Sequence, residues 1–225
     1  MKLLKKLLSV SILNWVILLV IMFQFPKQVP IHLDYTGMVD RYGPRWVILI
    51  FGFIPVILDL ALMAYRAKTK NNTKASANRK TENILFLAVT FFMLVITWLQ
   101  VYVASLADQP QVPHLLIAPI ILVPLGILLI VISNFFGVIK QNRWMGIRVS
   151  WTLKDEEVWK RTHRLGGYYG VAGGFCILIG GIAAYFTGNV IWAFSLLAVG
   201  VILIVVVPII YAGCLYHKRH SKNRE

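Results

Sequence analysis

Apolar residues along this chain come in six long runs, at 7–23, 46–65, 84–107, 115–139, 168–186 and 190–215, separated by short polar connectors. Each run approaches or exceeds the roughly 20 residues that a helix needs to cross a hydrocarbon core. Within lipid a spanning segment must satisfy its own backbone polar groups, so runs of this length read as transmembrane helices. The expected fold class is all-α, a polytopic membrane protein with six transmembrane helices. The first run follows Lys2, Lys5 and Lys6, as a secretory signal would. It is long for such a signal and continues into Gln24-Phe25-Pro26-Lys27 with no small-residue cleavage site. It is expected to stay as an anchor.

Composition agrees. Of the 225 residues 58% are hydrophobic and only 14% are charged, whereas a water-soluble domain carries about 25% charged residues. The same richness in Leu, Ile, Val and Phe excludes a disordered chain. A net charge of +14 could suggest a nucleic-acid binder, but the basic residues sit in the connectors, where they encode orientation. No direct nucleic-acid partner is expected. The N-terminus, 66–83, 140–167 and the tail after Tyr216 hold 20 of the 23 Lys and Arg residues. The positive-inside rule puts these segments, and both termini, in the cytoplasm. Cys176 and Cys214 lie in apolar runs and read as small buried hydrophobes.

The expected organisation follows from the runs. Residues 1–66 form two spans around a structured extracellular loop, 24–45, and 67–83 form a flexible basic cytoplasmic linker. Residues 84–217 form a four-span domain with a cytoplasmic loop at 140–167, and 218–225 form a basic tail. The outer loop has paired Pro and Gly residues that favour fixed turns. An extended backbone there would put His32 and Asp34 on one face, with Asp40 close by. A small folded cap is the simpler expectation for these groups, and a metal site the less favoured one.

Asp59 is the one carboxylate inside a predicted run, about 10 Å from its cytoplasmic end at 1.5 Å per residue. An ionisable group at that depth should face protein or water and have a partner. It is either a proton- or cation-responsive group or a hydrogen-bonded packing residue. Gly170 and Gly174 have the spacing that lets a second helix approach closely, in this chain or in another copy. In the inner loop, Thr152 followed by Asp155 resembles a capping box and predicts a short helix over 153–165. Trp144, Trp151 and Trp159 among basic residues suggest the inner headgroup layer. No catalytic set, cofactor motif or metal cluster is legible, so an enzyme is not expected.

Three inner segments have a family look: Asn134-x-x-Gly137, then Asn142-Arg143-Trp144-x-Gly146-Ile147-Arg148-x-x-Trp151-Thr152-Leu153, then Trp159-x-x-Thr162-His163-Arg164-x-Gly166-Gly167. This pattern resembles the signature of the SdpI family of bacterial membrane immunity proteins. The outer pattern Pro30-x-His32-x-Asp34-x-x-Gly37-x-x-Asp40 is similar to the small uncharacterised domain that often precedes it. Asp34 stands where that loop usually has Asn, and Met38 where it has Pro. The resemblance implies a multi-pass protein of the bacterial cell membrane, in contact with its lipids, that protects its cell from a secreted peptide toxin. It also implies a receptor that holds a cytoplasmic repressor at the membrane. The implied inner residues are Asn142, Arg143, Gly146, Arg148, Thr152, Trp159, His163 and Arg164, joined by Trp144, and the outer ones His32, Gly37 and Asp40, joined by Asp34. The competing expectation is a small proton-coupled transporter or channel working through Asp59.

Overall fold

The computed structural model describes residues 2–34, 38–70, 76–107 and 114–221. Gly37, residues 71–75 of the linker and 222–225 of the tail lie outside them. The helices are α1 (Lys2–Ile21), α2 (Val47–Lys68), α3 (Arg79–Ser105), α4 (His114–Asn134), α5 (Ser150–Lys154), α6 (Glu156–Thr187), α7 (Ile191–Val201) and α8 (Val207–Ser221). A π-helical segment, Ile202–Val206, joins α7 to α8. Pro208 lacks the N–H that would bond the Ile204 carbonyl, and a widened turn accommodates its ring. Among the described residues six helical segments are long and apolar enough to cross a membrane, and the protein is an all-α, multi-pass membrane protein.

The connector between α1 and α2 is a β-hairpin, β1 (Gln28–Leu33) against β2 (Val39–Pro44), with register shifts around His32. It is seated on the helix ends. Val29 is fully buried with Leu18 of α1, Ile48 of α2 and Val101 and Ala104 of α3. Gln100 donates to the Pro30 carbonyl at 3.0 Å, and Arg45 donates to the Phe25 carbonyl at 3.1 Å.

The helices form two units. Helices α1, α2 and α3 pack together, α6 packs against α4, α7 and α8, and α3 lies against α4 between the units. Lipid tails are as apolar as Leu, so these contacts rest on close fit and on polar bonds between helices. Glycine supplies the fit in the second unit. A Cβ at Gly174 would meet Ile130 and the Gly126 carbonyl of α4, and one at Gly173 would meet Gly200 of α7 at 2.7 Å. The small-residue stripe of α6 thus finds partners within this chain, on two faces.

Two expectations need correction. The short helix at 153–165 is not separate: α6 begins at Glu156 and continues unbroken to Thr187. Gly166 and Gly167 do not end it, because they accommodate Ile147 and the Ser133 carbonyl. Its N-cap is Asp155, which accepts from the Glu157 and Val158 N–H groups at 2.8 and 3.0 Å. Thr152 bonds backward instead, to the Ile147 and Val149 carbonyls. The second concerns the ends of the linker expected over 67–83, which are helical: α2 extends to Lys68 and α3 starts at Arg79.

Candidate functional site

The loop between α4 and α6, together with the base of α6, is the most densely bonded irregular segment among the described residues. Asn142 makes four hydrogen bonds. Its Oδ1 accepts from the Trp144 and Met145 N–H groups at 2.7 and 2.9 Å, and its Nδ2 donates to the Lys140 and Met145 carbonyls at 2.8 and 3.3 Å. An Asn can do this because its amide offers both donors and acceptors. Gly146 follows with φ at +101°, a region that favours glycine. A Cβ there would also collide with Nε2 of His163.

His163 closes the loop onto α6. Its Nδ1 bonds the Trp159 carbonyl at 2.9 Å. A carbonyl only accepts, so Nδ1 carries the proton and Nε2 is free to accept the Ile147 N–H at 2.9 Å. The imidazole is stacked on Trp159, with ring centroids 3.9 Å apart. Both side chains are 1% exposed. Trp159 therefore packs inside the protein and not against lipid headgroups. It is buried, and its indole N–H donates to the Ile139 carbonyl at 2.7 Å. Gln141 donates to the Thr152 carbonyl at 2.8 Å, and Arg148 to the Arg143 carbonyl at 2.7 Å.

What this loop leaves outward is a small set. Trp144 is 69% exposed and leans on Tyr65 of α2, centroids 5.3 Å apart. Arg143 and Arg164 are exposed. At the edge, Arg219 of α8 pairs with Asp155 at 3.1 Å. Burial pushes the Asp155 carboxyl up, but the Val158 N–H and the Arg219 guanidinium outweigh it and hold the carboxyl below its usual range.

Sequence reading missed the groups that tie this loop to the first unit. Asn78 donates to the Lys140 carbonyl and accepts the Lys140 N–H, both at 2.9 Å. Nothing in the Asn-, Lys- and Thr-rich linker marks it. Arg66 and Glu82 form an ion pair at 3.1 Å, each side chain 7% exposed. The signal was available: Glu82 is the one acid in the connector and stands two residues before an apolar run.

Midway along α2, Asp59 is 1% exposed. The Ser11 hydroxyl of α1 donates to its Oδ2 at 2.7 Å, and the Thr90 hydroxyl of α3 to its Oδ1 at 3.0 Å. One turn along α1, Asn14 accepts the Trp98 indole N–H at 2.9 Å. Asp59 is thus the hub of a polar seam joining three helices. Ser11 and Asn14, three apart within the first apolar run, were its legible trace.

At the hairpin end the candidates are surface groups. His32 Nδ1 and Asp40 Oδ1 are 2.6 Å apart, with side chains 57% and 45% exposed. Asp34 Oδ1 accepts the Met38 N–H at 2.9 Å. Gly37 lies outside the described residues. Among the described residues no three His, Cys, Asp or Glu side chains converge as metal ligands.

The loop leading into α6 is latched onto that helix by His163, and this latch lies with α6 and α7 inside residues 138–212, which match the SdpI/YfhL protein family. The chain carries an SdpI-family segment. Residues 10–57, from α1 through the hairpin into α2, match a domain of unknown function, DUF1648. Over 206 residues, 91% of each chain, the SdpI-like protein is 28% identical to Immunity protein SdpI of Bacillus subtilis (strain 168). No solved structure matches it. The family match begins one residue before Ile139, whose carbonyl takes the Trp159 indole, and ends beyond the whole of α7.

Proposed function

We propose that this protein guards the membrane of its own cell against a secreted antimicrobial peptide, by binding and not by catalysis. The observation that carries the reading is the match to Immunity protein SdpI across 91% of both chains, a span that takes in both the hairpin domain and the latch. Charge supports an orientation with both termini in the cytoplasm, since 20 of 23 Lys and Arg residues belong to segments at the end opposite the hairpin. The hairpin then faces outward. Its exposed His32–Asp40 pair offers a peptide an imidazole and a carboxylate beside a two-stranded sheet, a surface that an extended segment can join by strand addition.

On the opposite end, exposed Arg143, Trp144 and Arg164 suit an acidic, amphipathic segment of a cytoplasmic repressor. Peptide binding outside shifts the first unit, and the Asp59 seam with the Asn78–Lys140 bonds carries that shift to the latch. Occupation of both Asp59 oxygens by hydroxyl donors supports a packing role over proton-coupled transport, so Asp59→Asn should retain protection. The test is survival of a sensitive Gram-positive host that expresses the protein and is challenged with the peptide toxin encoded beside it, with membrane potential read by dye. Protection with potential preserved is expected. Death of cells whose membranes contain the folded protein would overturn the reading.

A further inference from the structure

The face where the two helical units meet carries a feature that immunity does not require. Between α3 and α4 runs an apolar groove with a volume of about 570 Å³, lined by Ile84, Ala88, Phe91, Val95, Pro124 and Ile127 among others. A second cavity of about 550 Å³ shares Val95 and Pro124 and extends the groove toward Pro119 and Tyr185. Both volumes fall in the range of ligand pockets. The groove opens sideways: Phe91 is 66% and Ile127 50% exposed, on a face that lies within the bilayer.

Its basic end is charged. The lining positions 84, 88, 91 and 95 of α3 follow helical spacing, and Lys80 lies on the same stripe one turn before Ile84. Lys140 arrives from the α4 side, its backbone held by Asn78 two residues before Lys80. Both lysines are exposed. The acid on this turn, Glu82, is buried against Arg66 and leaves the lysines unneutralised. An apolar slot in a membrane face that ends at two ammonium groups matches acyl chains below a negative headgroup.

We propose that the groove between α3 and α4 holds the acyl chains of an anionic phospholipid whose phosphate is met by Lys80 and Lys140. The lipid then lies along the contact between α3 and α4, where the two units meet. The inference stands independently of the immunity reading.

The test is lipid binding by the full-length protein in mild detergent, titrated with phosphatidylglycerol or phosphatidylcholine and read by native mass spectrometry. The wild type should prefer phosphatidylglycerol by about thirtyfold, as expected from two lysines at the membrane surface. Lys80→Gln/Lys140→Gln should bring that ratio close to one. Ala88→Phe, which fills the groove, should abolish retention of either lipid. The lysine variant changes only surface groups, so it decides the matter even where Ala88→Phe fails to fold. Equal retention of both lipids by the wild type, or a preference unchanged in the lysine variant, would overturn the proposal. A copurified peptide in the groove in place of lipid would do the same.

Discussion

The latch loop and the hairpin are the two segments with the most distinctive sequences, and they use their residues in opposite ways. In the latch, Asn142, Thr152, Trp159 and His163 spend their polar groups on backbone atoms of the same fold. In the hairpin, His32 and Asp40 pair with each other in the open, while buried Val29 and the Gln100–Pro30 bond do the anchoring. A dense motif therefore reports what the fold needs. The sparser pattern presents chemistry that the fold can do without.

The sharpest way to break this contrast is to damage the basic end. Glu82→Ala leaves the buried Arg66 unpaired, and loss of one partner of a buried pair costs about 3–5 kcal/mol. Thermal unfolding in detergent should fall well below wild type, with little protein recovered from membranes. Gly146→Ala combines a left-handed backbone with a clash against His163. Strain and overpacking together predict a loss of about 2–3 kcal/mol, seen as a lower unfolding midpoint. If it unfolds like the wild type, the latch is not structural.

Asp155 gives a smaller effect with a pH signature. Its carboxyl is held below the ordinary range, so it stabilises the fold while ionised. That contribution is present above the usual carboxylate pKa and is lost as pH falls through its own lowered value. Asp155→Asn should cost about 1 kcal/mol near neutral pH. Its unfolding midpoint should approach that of the wild type in acid. The smallest expected change in stability is His32→Ala/Asp40→Ala, near zero for an exposed pair.

Much of this architecture was legible in the sequence, for a physical reason. A run such as 46–65 has one solution in lipid, a helix, so number, order and approximate ends of the spans follow from hydropathy. Asp59 was legible as an exception to that rule, and Ser11 and Asn14 could have been read with it. The hairpin register was not, because two register shifts around His32 change which side chains meet across the strands. Nor was the role of Trp159, since an aromatic among basic residues suits an interface as well as a stack. Asn78 was hidden for a third reason: a hydrogen bond between residues 62 apart in the chain leaves no local periodicity.

The central claim is that the latch builds the protein and the hairpin meets the peptide. The most direct measurement is survival of toxin-challenged cells that express His32→Ala/Asp40→Ala at the membrane level of the wild type. The account predicts loss of protection with an unfolding midpoint equal to that of the wild type. Full protection by this folded variant would contradict it.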